Sequence, residues 1–167
     1  MPSASRIRRL TAEHEEMQAL RDASPLITFA VEGTPPTRYS VSLSCTGLFR
    51  HGKEIMTVSA HHFEVLLLED FPLLAPAIFW RTPIFHPNFF APAVCLGDFW
   101  YPAWSLSEMC VAICEMVQYK TFNIYDPLDK QAAAWLSKEL DENPARFPVD
   151  TRPVRTTYDF DIAASRK

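Results

Sequence analysis

The sequence predicts an α+β fold with an N-terminal helix, a four-stranded antiparallel meander sheet, a rigid active-site loop and two further helices. Three observations predict it: a helical hydrophobic period near the N-terminus, strict alternation in the segment RYSVSLSCT, and two helix-start signals after a run rich in proline and aromatic residues. The connections between the strand candidates are too short for crossover helices, which favours antiparallel neighbours. A chain of 167 residues is long enough for one packed core.

The first predicted element is an amphipathic helix over residues 5–20. Its apolar stripe recurs every three or four residues, with charged residues on the other faces. The stripe consists of Ile7, Leu10, His14, Met17 and Leu20.

Four strands are predicted next. Tyr39, Val41, Leu43 and Cys45 alternate with serine and threonine, as a strand with one buried face requires. Glycine and proline residues separate it from the other three candidates, which are residues 26–32, 62–69 and 77–80.

A stiff irregular segment follows the last strand. Six of the fourteen prolines lie between Phe71 and Trp104, together with many aromatic residues. Flexible loops are usually polar and rich in small residues, so this composition predicts a rigid frame around its single cysteine, Cys95.

Two helices are predicted after this frame. Ser105 and Glu108 form a capping box, which predicts a helix over residues 106–119. Asp126 is the predicted N-cap of the second helix, with Pro127 at its first position, and this helix should end near residue 143. Residues 1–143 are therefore the predicted domain, and residues 144–167 an extended tail that either docks on it or stays mobile.

Charge and cysteine content exclude several classes of protein. A net charge of −4 and an isoelectric point near 5.7 give no basic surface for nucleic acid or an anionic membrane. The charged first twenty residues do not form a signal peptide, which predicts a cytoplasmic protein. Four cysteines form neither a disulfide scaffold nor a metal-binding spacing, so we expect reduced thiols and no metal or organic cofactor.

Several motifs taken together resemble the ubiquitin-conjugating enzymes over residues 5–140. They are FPLLAPAIFWRTPIFHPN, the VCL segment with Cys95, Trp104, and the DPL segment that begins at Asp126. In that family an activating enzyme delivers a ubiquitin-like protein as a thioester to the cysteine, which then passes it to an amine. The resemblance implies this conjugating activity for a compact, divergent chain, of the kind found in bacterial conjugation cassettes.

The resemblance also implies roles for individual residues. Cys95 takes the thioester position, since a thiolate both attacks and leaves readily. Asn88 matches an asparagine that either helps the oxyanion form or braces the cysteine loop. Asp126 matches an acidic residue that orients the attacking lysine or favours its deprotonated form, although capping alone would also select an aspartate there.

Partners follow from the same resemblance. They are an activating enzyme, a ubiquitin-like protein ending in glycine, a target protein and a deconjugating protease of the same pathway. In the family the basic opening helix docks the activating enzyme, which indicates Arg6, Arg8 and Arg9. Leu73 replaces a usual loop aromatic, and Trp104 with Leu106 lies in WSLS where ligase-dependent members often read WSPA. These three are the other candidate partner contacts.

The alternative is that the chain is an inactive relative of these enzymes. Such a protein would only bind ubiquitin-like proteins or scaffold an assembly. Such relatives typically lack the cysteine. This chain keeps both Cys95 and Asn88.

Overall fold

The computed structural model describes residues 1–97 and 100–156. Residues 98 and 99 of the predicted rigid frame and residues 157–167 of the predicted tail lie outside that range. The elements are α1 (Ala4–Ala23), β1 (Ile27–Gly33), β2 (Pro36–Leu43), β3 (Gly47–His51), β4 (Glu54–Val58), β5 (His61–Leu66), β6 (Ala77–Trp80), β7 (Phe89–Phe90), β8 (Ala93–Val94), α2 (Leu106–Val117), α3 (Lys130–Glu142) and a 3-10 helix (Pro144–Arg146). None of the helices in the described part of the chain is long and apolar enough to cross a membrane.

The predicted α+β fold and its four-stranded antiparallel sheet are confirmed, with strand order β1-β2-β5-β6. Val41 of β2 lies opposite Phe63 of β5, which lies opposite Trp80 of β6. These three side chains are buried in the main core. Ser40 and Ser42 occupy the opposite face, as their alternation predicts.

The hairpin β3–β4 was not predicted. It continues the β2–β5 pair, because Leu43 pairs with His61 and Gly47 pairs with Val58. Between these pairs, the three residues 44–46 lie opposite the two residues 59 and 60. This unequal count is that of a β-bulge, which bends the two strands. A Cβ atom on Gly47 would lie 2.8 Å from Val117 Cγ1, so this close approach requires glycine. Beyond the bend, Leu48 packs in a second small core.

Helix α1 confirms the opening helix, but its buried stripe differs from the prediction. Leu10, Met17 and Leu20 are buried, whereas Ile7 is 40% exposed. The stripe instead continues through Glu13, a charged residue that is buried because both of its carboxylate oxygens are paired. Glu13 accepts hydrogen bonds from Arg9 Nε at 2.6 Å and from the Leu106 amide at 2.7 Å, which joins α1 to the start of α2.

Helix α2 begins at the predicted capping box. Ser105 Oγ accepts from the Glu108 amide at 3.2 Å, and Glu108 Oε2 accepts from the Ser105 amide at 2.9 Å. Its apolar face packs against the sheet and α1 to close the main core. The core residues on this helix are Leu106, Met109, Cys110, Ile113, Cys114, Met116 and Val117.

The predicted N-cap of α3 was wrong. The helix begins at Lys130, and Asp129 caps it by accepting from the amides of Gln131 and Ala132, both at 3.0 Å. Asp126 lies before the helix, because the main chain that follows it is hydrogen-bonded to the turn at residues 86–88. The amides of Leu128 and Asp129 donate to the carbonyl of Pro87 at 2.8 and 3.0 Å.

Residues 144–156, the described part of the predicted tail, dock on the domain. Val154 is buried in the main core. The Val149 amide donates to the Gln118 carbonyl at 2.9 Å, and the Thr156 amide donates to the Ala23 carbonyl at 2.8 Å. The segment therefore runs from the end of α2 to the end of α1.

Candidate active site

The turn at residues 86–88 is the buried foundation of the candidate site. His86 has no exposed surface, and its ring packs between the rings of Phe89 and Tyr119. The Asn88 amide donates to His86 Nδ1 at 3.0 Å, so the ring proton is on Nε2. Burial lowers the pKa of His86 to about 3, which keeps the ring neutral. His86 is thus a structural brace and does not supply an acid or base.

A short hairpin brings Cys95 next to Asn88. Phe89 of β7 pairs with Val94 of β8, so the flanking residues Asn88 and Cys95 face each other. The Cys95 amide donates to the Asn88 carbonyl at 2.9 Å. The seven-residue interval in the sequence is therefore the length of one hairpin.

Cys95 is partly exposed and lines a groove of about 260 Å³. Gly97 continues the wall with a φ of +103°, a left-handed conformation that favours glycine. The groove is lined by Asn88, Cys95, Leu96, Gly97, Met116, Thr121, Phe122 and Asn123. Cys95 therefore lies beside open space and not in the packed core.

The side chain of Asn88 is fixed by the main chain of Asn123. Asn88 Nδ2 donates to the Asn123 carbonyl at 2.9 Å, and Asn88 Oδ1 accepts from the Asn123 amide at 2.8 Å. Only 3% of Asn88 is exposed. This pair joins the cysteine hairpin to the chain between α2 and α3.

Asn123 is a site residue that the sequence analysis missed. Its Oδ1 accepts from the Tyr125 amide at 2.9 Å, which closes a turn typical of asparagine. The signal available in the sequence was an asparagine shortly before the DPL segment. Its contact with Asn88 spans 35 positions, which no local pattern encodes.

Asp126 is exposed and lies between two points that tie its loop to the turn at residues 86–88. One tie is the Asn88–Asn123 pair, and the other is the Pro87 carbonyl that accepts from Leu128 and Asp129. The loop is therefore held beside the cysteine hairpin. Asp126 itself is not among the residues that line the Cys95 groove.

The other three cysteines are buried. Cys45, Cys110 and Cys114 have no exposed surface, and all four thiols are free. Burial raises the pKa of Cys110 to about 12. A hydrogen bond with Cys45, together with burial, raises the pKa of Cys114. Among the four, only Cys95 is not buried.

Two of the three arginines predicted to bind a partner are engaged within the chain. Arg6 donates to the carbonyls of Leu67, Glu69 and Phe71 at 3.0, 3.1 and 2.7 Å. Arg9 pairs with Glu13 and donates to the Trp104 carbonyl at 2.9 Å. They hold α1 to its neighbouring loops.

The remaining predicted partner contacts differ in their accessibility. Arg8 is exposed and makes no hydrogen bond or ion pair with the described residues. Leu73 is 77% exposed, whereas Trp104 is partly buried against Trp100. Leu106 was wrongly predicted as a surface contact, because it is the first residue of α2 and its side chain is wholly buried in the main core.

Comparison with known proteins identifies relatives over the same region. The family profile described as "Ubiquitin-conjugating enzyme" matches residues 54–148, which include Asn88, Cys95 and Asp126. Ubiquitin-conjugating enzyme E2 16 of Schizosaccharomyces pombe is 29% identical over 93 residues, covering 53% of this chain and 52% of that protein. Protein PEROXIN-4 of Arabidopsis thaliana is 38% identical over 56 residues, covering 30% of this chain and 36% of that protein. The matches thus cover about half or less of these curated relatives.

Proposed function

The chain belongs to the ubiquitin-conjugating enzyme family, and from this premise we propose that it accepts a ubiquitin-like protein from an activating enzyme as a thioester on Cys95. It then transfers that protein to a lysine or other amine of a target. The observation that carries the proposal is that Cys95 alone among the four cysteines is accessible, and that it opens into a groove beside Asn88.

Both proposed steps exchange an acyl group without a cofactor. In the first, the Cys95 thiolate attacks the carrier thioester on the activating enzyme; a new carbon–sulfur bond forms and the enzyme's thiolate leaves. In the second, an amine attacks the Cys95 thioester, the carbon–nitrogen bond forms and the Cys95 thiolate leaves. The proton lost by the amine returns to the sulfur through solvent, so the products are an amide and a free thiol.

Asn88 has the bracing role in this proposal. The sequence left open whether its amide stabilises the oxyanion or holds the loop. The oxygen and the nitrogen of the Asn88 side-chain amide are both hydrogen-bonded to the Asn123 main chain. The side chain is also almost wholly buried, and both observations support the bracing role. The brace holds the hairpin that carries Cys95 next to the loop that carries Asp126, and so fixes the geometry of the site before the reaction.

Asp126 is the acceptor-side residue in this proposal. It is exposed on a loop held beside the cysteine hairpin by the Pro87 and Asn123 ties. A carboxylate there would orient an incoming ammonium group or favour its deprotonated form as it approaches the thioester. A capping role does not compete with this assignment, because Asp129 caps α3.

The proposed docking surface for the activating enzyme consists of Arg8 on α1 and Leu73 on the loop between β5 and β6. Both are exposed, whereas Arg6 and Arg9 are used within the chain. The proposed carrier ends in glycine, as the resemblance to the family implies, and its terminal carbonyl would enter the groove of about 260 Å³ beside Cys95.

The test uses a synthetic thioester, acetyl-Gly-Gly-mercaptoethanesulfonate, in place of the carrier. We expect thiol exchange to modify Cys95, as located by mass spectrometry, and Cys95→Ala to lose the adduct. Free lysine should then discharge the folded adduct faster than the same adduct unfolded in guanidinium chloride. Modification of another cysteine in the folded protein, or equal discharge of folded and unfolded adducts, would refute the proposal and favour an inactive binding module.

A further inference from the structure

We propose that the side-chain amide of Asn123 donates the hydrogen bond that stabilises the oxyanion formed when an amine attacks the Cys95 thioester. This inference rests on the proposed function and assigns a catalytic group within it. It departs from one of the two roles that the sequence left open for Asn88, in which the asparagine of the His-Pro-Asn turn supplies this donor. Asn123 lies 35 positions further along the chain.

Asn88 is poorly placed to supply the donor. Its Oδ1 and Nδ2 atoms face the amide and carbonyl of Asn123 at 2.8 and 2.9 Å, so its carboxamide is oriented toward that main chain. Rotating it toward the groove would break both hydrogen bonds to the partly buried main chain of Asn123, at a cost of roughly 1 kcal/mol for each. A hydrogen bond from Asn88 to the oxyanion would have to exceed this cost before it could lower the barrier.

The Asn123 side chain has the properties that Asn88 lacks. It is exposed, and it lines the same groove as Cys95. Its Oδ1 accepts from the Tyr125 amide at 2.9 Å, which fixes the plane of the carboxamide. Its Nδ2 makes no hydrogen bond with the described residues, so both of its hydrogens are available to a ligand in the groove.

The main chain of Asn123 is also held in place. The two hydrogen bonds with the Asn88 side chain, one donated and one accepted by Asn123, anchor its backbone, and the turn to Tyr125 anchors its side chain. A donor held rigidly before the reaction pays little reorganisation energy when charge develops, which is the property of an effective oxyanion site. The buried Asn88 therefore positions, and the exposed Asn123 donates.

The donor acts within a balanced step. The amine nitrogen attacks the thioester carbonyl carbon, and the carbonyl oxygen becomes negatively charged in the tetrahedral intermediate. An N–H of Asn123 donates to this oxygen and keeps its proton. The carbon–sulfur bond then breaks, the Cys95 thiolate leaves and takes up the proton lost by the amine, and the carbonyl re-forms as an amide.

Two substitutions separate donation from support of the turn. Asn123→Asp keeps an oxygen that accepts from the Tyr125 amide, but it has no donor and places a carboxylate near the oxyanion. Asn123→Ala removes both the donor and the turn without adding charge. Both keep the main-chain groups that bond to Asn88, so the brace should persist. Asn143→Ala, which removes an exposed asparagine at the end of α3, is the matched control.

Each protein is first loaded with acetyl-Gly-Gly-mercaptoethanesulfonate, and discharge is then followed over a range of lysine concentrations. We expect the final extent of loading and the lysine concentration for half-maximal rate to be unchanged in both variants. The maximal discharge rate should fall about tenfold or more in both variants. Loss of one donor from an enclosed oxyanion hole slows a reaction roughly 100- to 1,000-fold, and we expect a smaller effect in an open groove. Asn143→Ala should discharge at the wild-type rate.

The other outcomes overturn the inference in distinct ways. A slow Asn123→Ala with a normal Asn123→Asp would mean that only the turn matters. A slow Asn123→Asp with a normal Asn123→Ala would mean that the added charge, and not a lost donor, causes the effect. Normal rates in both would remove Asn123 from the reaction. Failure of wild-type Cys95 to load, or to discharge faster than the unfolded adduct, would instead refute the proposed function.

Discussion

The carboxamide of Asn88 and the main chain of Asn123 exchange two hydrogen bonds, of 2.9 and 2.8 Å, across 35 positions of sequence. Asn88 also accepts the Cys95 amide on its own carbonyl. One buried residue therefore joins the loop that carries the thiol to the loop that carries Asp126. The geometry of the groove depends on this pair, because each loop by itself is irregular.

Asn88→Ala should destabilise the protein and slow the reaction together. The variant leaves the amide and carbonyl of Asn123 without partners, so we expect the free energy of unfolding to fall by about 2 kcal/mol. Urea unfolding measures this loss, and lysine discharge of the loaded adduct measures the rate. Asn143→Ala removes an exposed asparagine and should change neither quantity. A slower Asn88→Ala with full stability would argue that Asn88 acts on the substrate and not as a brace.

Local patterns in the sequence predicted the features that depend on neighbouring residues. The alternation in β2 predicted which face is buried, and the box of Ser105 and Glu108 predicted the start of α2. The turn and cysteine motifs also predicted that Asn88 and Cys95 would share a site. A seven-residue interval that folds as a hairpin brings them together without distant contacts.

Features that depend on distant contacts were missed. Asp126 looked like a cap, but the Pro87 carbonyl takes the amides that follow it and Asp129 caps the helix. Arg6 looked free for a partner, yet it donates to three carbonyls more than sixty positions away. Gly47, at the start of hairpin β3–β4, packs closely against Val117, which lies seventy positions away. None of these contacts leaves a periodic signal.

Asp150→Asn should weaken the docking of residues 144–156 in a pH-dependent way. Burial alone would raise the pKa of Asp150, but hydrogen bonds from Arg152 and the Thr46 amide outweigh it and hold this pKa below its usual range. The carboxylate therefore contributes stability above pH 4, and this contribution is lost as the pH falls toward the lower folded pKa. We expect the variant to be about 1–2 kcal/mol less stable at pH 7.

Urea unfolding of both proteins between pH 7 and pH 2 tests this sign. The difference in unfolding free energy should shrink steadily below pH 4, because the carboxylate then takes up a proton in the unfolded chain while it stays ionised in the folded protein, which favours unfolding of the wild type only. A difference that stays constant down to pH 2 would show that the charge of Asp150 does not hold the segment in place. Ser44→Ala, a nearby exposed change, should leave the pH dependence unaltered.

His86→Asn should flatten the response of stability to mild acid. The unfolded chain binds a proton on this histidine near pH 6.5, whereas burial keeps the folded ring neutral down to a pKa of about 3. Stability should therefore fall by about 1 kcal/mol per pH unit as the pH drops from 6.5 toward 5. The variant keeps an acceptor for the Asn88 amide but has nothing to protonate.

We expect the variant to be less stable at pH 7, because asparagine leaves a cavity between Phe89 and Tyr119. Its unfolding free energy should nevertheless change less between pH 7 and pH 5 than that of the wild type. His61, whose pKa burial also lowers, remains in both proteins and gives the residual slope. Equal slopes in the two proteins would mean that His86 is protonated alike in the folded and unfolded states.

Substitutions of Asp126 and Asp129 should have opposite effects: a change at Asp129 should lower stability, and a change at Asp126 should lower activity. Asp129 accepts from two amides at the start of α3, so Asp129→Ala should lower the unfolding free energy by about 1 kcal/mol through loss of the cap. Asp126 is exposed and makes no hydrogen bond with the described residues. Asp126→Asn should therefore leave stability within about 0.5 kcal/mol of the wild type, as is usual for surface changes.

The rates should show the opposite pattern. We expect Asp126→Asn to slow lysine discharge of the Cys95 thioester about tenfold or more, since the carboxylate no longer orients the amine or assists its deprotonation. Asp129→Ala, assayed well below its unfolding temperature, should discharge at the wild-type rate. Hydroxylamine, which is a good nucleophile without deprotonation at neutral pH, should discharge Asp126→Asn and wild type equally. An Asp126→Asn variant that is equally slow with hydroxylamine would place the fault in the groove and remove Asp126 from acceptor activation.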